Sequence, residues 1–93
     1  MRNYEGLFII KPDVSEADLT TILKSITDLL AKHKAQLTKE ENWGKRPLSY
    51  PVRKCKEGVY YKVNFESSPD EISKLKELYV LQPEILRVMF TKR

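Results

Sequence analysis

Val59-Tyr60-Tyr61-Lys62-Val63-Asn64-Phe65-Glu66-Ser67-Ser68-Pro69-Asp70-Glu71 carries two folding instructions back to back. In the first, Val59, Tyr61, Val63 and Phe65 alternate with Tyr60, Lys62 and Asn64. A period of two gives a strand with one buried face. In the second, Ser68 offers a helix cap and Pro69 suits the first helical position. Asp70 and Glu71 place negative charge at the positive end of the helix. Ile72, Leu75, Leu78 and Tyr79 follow as the inner stripe of that helix, and Gln82-Pro83 ends it. A strand handing over directly to a capped helix points to an α+β chain.

Working outward, Leu86, Val88 and Phe90 alternate with Arg87 and Met89 in a last strand before Thr91-Lys92-Arg93. On the other side, Arg53-Lys54-Cys55-Lys56-Glu57-Gly58 reads as a basic turn. Between Ala35 and Val52 the apolar phase changes: Leu37, Glu41 and Trp43 sit on odd positions, Leu48, Tyr50 and Val52 on even ones. A switch near Gly44 fits one long strand with a bulge, because an unpaired residue moves later side chains to the other face. Pro47 and Pro51 cannot donate to a ladder, so this strand belongs at an edge. Ser15 and Asp18 form a capping-box-like start, after which Leu19, Ile22, Leu23, Ile26, Leu29 and Leu30 recur at helical spacing as far as His33. Tyr4 to Ile10 is a continuous apolar run stopped by Lys11-Pro12-Asp13, the mark of an interior strand.

The order is therefore β-α-β-β-α-β, the split arrangement of the ferredoxin-like fold: a four-stranded antiparallel sheet with two helices on one face. The 93 residues are expected to form a single domain spanning 1–93. Such a fold hosts many functions, so function has to come from particular residues.

Composition narrows the classes. Lys+Arg 17 against Asp+Glu 13 gives a formal charge of +4, which permits a polyanionic partner without demanding one. Cys55 is the one cysteine, so no internal disulfide forms and a reducing compartment is expected. Its thiol has no base nearby in sequence, since the one histidine, His33, lies in another segment. One His, one Cys and scattered acids do not make a metal site, and no cofactor or small-molecule substrate is expected. No apolar run approaches the ~18 residues of a membrane span, and the opening residues lack a signal-peptide core; a cytosolic location follows as an expectation. An acylphosphatase-like hydrolase would need an arginine in the loop after the first strand, where Lys11-Pro12-Asp13 offers none. The chain does not read as an enzyme.

Met1-Arg2-Asn3-Tyr4-Glu5, the Lys11-Pro12 strand end, and Asn42-Trp43-Gly44-Lys45-Arg46-Pro47-Leu48-Ser49-Tyr50-Pro51-Val52 together resemble the family of the sixth protein of the bacterial small ribosomal subunit. Gly58-Val59-Tyr60 resembles that family's entry into its third strand, and Leu86-Arg87-Val88-Met89 its last strand. The likeness runs from Met1 to Arg93. It departs at Ser49, where alanine is usual, and at Glu77-Leu78-Tyr79-Val80-Leu81, where relatives commonly carry arginines. The resemblance implies a non-enzymatic, ribosome-associated protein that pairs with the eighteenth small-subunit protein and binds the central domain of 16S ribosomal RNA.

For the RNA, the candidates are Arg2, Lys45, Arg46, Arg87, Lys92 and Arg93, because lysine and arginine neutralise phosphates and release counterions. Arg87 leads, being a cation between apolar Leu86 and Val88. These residues need not form one patch. Arg53, Lys54 and Lys56 are weaker candidates, as a hairpin tip is solvated in any case. If Phe8, Ile10, Val88 and Phe90 face the helices, then Leu7, Ile9 and Met89 face the other side of the sheet. Uncovered apolar surface there calls for a protein partner. Trp43 and Tyr50 are expected to pack against the sheet or that partner rather than to stack on bases. The rival is a free-standing RNA-recognition module, which Leu7-Phe8-Ile9 superficially fits. The third strand lacks the required glycine-aromatic spacing.

Overall fold

The computed structural model describes residues 2–52 and 54–92. The chain runs β1 (Arg2–Ile10), α1 (Glu16–Lys32), β2 (Gln36–Val52), β3 (Cys55–Ser67), α2 (Pro69–Val80) and β4 (Ile85–Lys92). The strands form one antiparallel sheet in the order β2-β3-β1-β4. β1 is interior and β2 is an edge, as its continuous apolarity and β2's prolines respectively require.

Both helices pack on one face. Phe8, Ile10, Val63 and Phe65 from the sheet meet Ile26 and Leu30 of α1 and Leu75 and Tyr79 of α2, all essentially inaccessible to solvent. Phe8 meets the Tyr79 ring edge-on, with centroids 4.8 Å apart at 83°, a favoured aromatic geometry. The Tyr79 hydroxyl donates to the Ile26 carbonyl at 2.7 Å, tying α2 to α1. Burial drives the Tyr79 phenol pKa far above its ordinary value, because the phenolate would be desolvated.

The ends of α1 follow from local chemistry. Ser15 accepts a bond from the Asp18 amide at 3.1 Å. At the C-terminus, Ala35 N–H reaches the Leu30 carbonyl and Lys34 N–H the Ala31 carbonyl. Lys34 takes φ 63° to close this left-handed cap. His33 Nδ1 lies 3.0 Å from Glu71 Oε2, joining the end of α1 to the start of α2.

The structure departs from the sequence expectations in five places. The basic turn is shorter than expected: β3 already starts at Cys55, opposite Val52, so Lys56, Glu57 and Gly58 are strand. Backbone pairing needs no apolar alternation, which hides such a ribbon from a pattern search. β2 has three register shifts instead of one, at Leu37/Lys39, Asn42/Gly44 and Pro47/Val52. Leu37 therefore aligns with core-facing Phe65, whereas Glu41 aligns with Lys62 on the other face. In α2, the Ser68 side chain makes no cap bond, and Leu78 is half-exposed because Leu75 and Tyr79 alone fill the narrow inner stripe. Finally, Leu86 does not share a face with Val88. A bulge pairs Ile10 with Ile85 and Ile9 with Arg87, so Ile85 fills the core and Leu86 turns toward Gly58. Arg53 and Arg93 lie outside the described residues.

Candidate RNA and partner interface

The sheet face without helices is laid out by strand register. Ile9 of β1 sits between Tyr60 of β3 and Arg87 of β4; one pair further along, Leu7 sits between Lys62 and Met89. Beyond Leu7 come Glu5, Asn64 and Thr91. One half of the face is thus charged and polar, the other apolar.

The polar half is internally neutralised. Lys62 Nζ lies 2.9 Å from Glu5 Oε1 and 3.9 Å from Glu41 Oε2, and Lys39 Nζ lies 3.8 Å from Glu41 Oε1. These partly exposed pairs add little stability. Their effect is to engage the carboxylates of this face.

The apolar half is shaped by the last irregularity of β2. Pro47 pairs with Glu57 and Val52 with Cys55, so residues 48–51 face the single residue Lys56 and leave the ladder. Leu48, Ser49 and Tyr50 then wall a groove floored by Leu7, Ile9, Tyr60 and Met89, with Arg87 on its rim; its volume is about 190 Å³. The cover is partial: Ile9 is buried, Met89 is 38% exposed and Tyr50 is 65% exposed. Gly58 makes room underneath. A Cβ there would come 2.6 Å from Ile9 Cγ2 and 3.1 Å from the Ile10 carbonyl oxygen.

Trp43 lies on the far side of Tyr60, outside the groove. Its ring stacks on Tyr60, with centroids 6.2 Å apart and planes 13° from parallel. Arg46 donates from Nε to the Trp43 carbonyl at 3.3 Å, and its guanidinium carbon sits 5.8 Å from the ring centroid. Lys62 Nζ is 5.7 Å from the same centroid. Gly44, at φ 77°, bonds its N–H to Asn42 Oδ1 at 2.9 Å and turns the chain at this bulge. Trp43 packs, then, but on surface neighbours and with 40% of its area open, not in the core.

The candidate cations fall into two groups. Arg46, opposite Gly58, and Arg87, opposite Ile9, share one end of the helix-free face. Lys45 is close in sequence but aligned with Val59, on the helix-bearing side. Arg2, opposite Ser67, and Lys92, opposite Tyr4, lie at the other end of the sheet. Among the described residues, none of these five has a carboxylate within 4 Å.

Alternation identifies Leu7, Ile9 and Met89 from sequence alone. Tyr60 and Lys62 escape notice until their register against β1 is known. Leu48 is invisible, because nothing in the side-chain pattern announces a four-residue excursion. Among the described residues no three His, Cys, Asp or Glu side chains cluster as metal ligands, and no helix is long and apolar enough to cross a membrane.

Comparison with known proteins matches this architecture from end to end. The family model for ribosomal protein S6 matches residues 3–92. A small ribosomal subunit protein bS6 from Desulforamulus reducens is 35% identical over 92 residues, covering 99% of this chain and 97% of its own length. The protein of the same name from Caldanaerobacter subterraneus is 33% identical with the same coverage. The crystal structure of 30S ribosomal protein S6 from Thermotoga maritima superposes with a TM-score of 0.93 at 29% identity, over 99% of this chain and 87% of that one. A family match across nearly every residue, with the same strand order and helix placement, leaves one assignment: the chain belongs to the ribosomal protein S6 family, whose members are structural proteins of the small ribosomal subunit and not enzymes.

Proposed function

We propose that this chain binds 16S ribosomal RNA together with the eighteenth small-subunit protein, in the cytoplasm as part of the small subunit. The partner's apolar side chains enter the groove of Leu7, Ile9, Tyr50 and Met89, and Trp43 borders that contact. Arg46 and Arg87 meet RNA phosphates beside it. Lys45, Arg2 and Lys92 provide further phosphate contacts, and Arg93 is assigned with them from sequence alone.

The observation that carries this reading is the half-covered apolar groove with an arginine on its rim that has no carboxylate within 4 Å among the described residues. An apolar surface gains free energy when a protein covers it, and a cation without a carboxylate is matched by a phosphate. With a formal charge of only +4, the chain alone has limited attraction for RNA. Pairing adds charge and contact area.

Titrating labelled central-domain RNA with this chain, with and without the eighteenth protein, tests the reading. Binding should be weak alone and at least about tenfold tighter with the partner, a coupling of ordinary size. Equal affinity in the two titrations would refute it.

A further inference from the structure

We propose that Trp43, stacked on Tyr60 and flanked by Arg46, is a stacking platform for an unpaired nucleobase of single-stranded RNA. The inference rests on the RNA-contact reading above for its class of ligand and deepens it by naming the chemical group and its seat.

The large aromatics Phe8, Phe65 and Tyr79 are almost fully buried, whereas Trp43 remains 40% exposed. Its exposure is not looseness. The parallel Tyr60 ring supports the indole, and the Arg46 bond to the Trp43 carbonyl and the Asn42–Gly44 turn hold the backbone that carries it. A ring held rigid in advance loses little conformational freedom on binding. Every base has a π-face, so such a ring accepts single-stranded nucleic acid without requiring one sequence.

Charge selects the same ligand. Arg46 has no carboxylate within 4 Å among the described residues, while Lys62 is already paired with Glu5. A base with its phosphate satisfies the indole and the guanidinium together. A protein segment filling the apolar groove does not need Trp43, which lies beyond Tyr60 and is absent from the groove wall. A duplex does not offer a free base face.

Trp43 is the single tryptophan among five tyrosines, so emission excited beyond the tyrosine absorption band reports on this site alone. The full chain is titrated at low salt with oligouridylate and oligoadenylate hexamers, with an RNA duplex, and with inorganic polyphosphate of matched charge. Labelled-oligonucleotide anisotropy follows binding independently. The single strands should quench Trp43 emission saturably, and the duplex and polyphosphate should bind without quenching. Trp43→Phe should hold affinity within about threefold and Trp43→Ala should lose about tenfold, with unchanged circular dichroism showing that both remain folded. Lys45→Ala should weaken binding while preserving full quenching at saturation. Absence of oligonucleotide binding, binding without quenching, equal quenching by polyphosphate, or Trp43→Ala at wild-type affinity would each overturn the platform. No partner protein is present in this assay, so its failure leaves the pairing with the eighteenth protein standing.

Discussion

The two faces of one sheet solve the same problem differently. On the helix-bearing face, Phe8, Ile10, Val63 and Phe65 are sealed by α1 and α2. On the other, Leu7, Ile9, Tyr60 and Met89 belong to the same strands, one residue out of phase, and have only the wall of Leu48 to Tyr50 for cover. The first face stores stability within the chain. The second leaves apolar area whose burial awaits something outside it. Neighbouring residues in one strand therefore answer to different pressures, folding for Phe8 and assembly for Leu7.

The sharpest way to break that contrast is to truncate the two neighbours in turn. Phe8→Ala should cost about 3–5 kcal/mol, because it opens a cavity among Tyr61, Tyr79 and Phe90. Leu7→Ala should cost at most about 1.5 kcal/mol, since the side chain is only partly buried in the free protein, and should instead weaken partner binding. Urea denaturation and a partner titration read the two effects. Similar stability losses for both would end the distinction.

Gly58 tests the floor of the groove. A methyl group there collides with Ile9 Cγ2 and crowds the Ile10 carbonyl, so Gly58→Ala should destabilise by about 1–3 kcal/mol although the position lies outside the main core. A midpoint unchanged in denaturant would mean that the groove is softer than its geometry implies.

The sealed face also has a signature in pH. Burial raises the phenol pKa values of Tyr61 and Tyr79 well above 10.0, and the hydrogen bond from Tyr61 to Glu40 adds to the former. The folded state thus holds protons that the unfolded chain releases. This stability is complete below the ordinary phenol value and declines as pH rises past about 10. Thermal melts across an alkaline series should fall more steeply for wild type than for Tyr79→Phe. Parallel curves would contradict the linkage.

The smallest effect sharpens the open face. Arg87→Ala should leave folding unchanged, because Arg87 is exposed. It should lower the salt slope of RNA binding by the partner-bound complex by about one unit. A wild-type slope would move Arg87 from the RNA to the protein partner.

How much of this was legible in the sequence depends on what each feature is made of. The alternation of Val59 to Phe65, the spacing from Leu19 to Leu30 and the Ser15 cap are side-chain patterns, and they locate the elements. The same alternation puts Leu7, Ile9 and Met89 on the helix-free face. What stayed hidden is decided by backbone pairing. The start of β3 at Cys55, the excursion at residues 48–51 and the bulge that turns Leu86 away from the core depend on which amide meets which carbonyl. No residue type encodes that choice locally. The stack of Trp43 on Tyr60 inherits the same blindness, since it requires the register of β2 against β3.

The interior position of β1 sets a timetable as well as a shape. β1 is translated before both of its neighbours, which begin at Cys55 and Ile85. Until β4 is made, Phe8, Ile9 and Ile10 belong to a strand whose pairing on the β4 side has no material to form from. Such distant pairings must close long loops before any contact compensates them, which slows folding. β2 and β3, consecutive in sequence and paired from Val52 with Cys55 onward, are free to zip early, but on their own they make a ribbon without its central strand. The sheet is therefore completed by β4, and a chain halted before it would present an unpaired apolar edge to its surroundings.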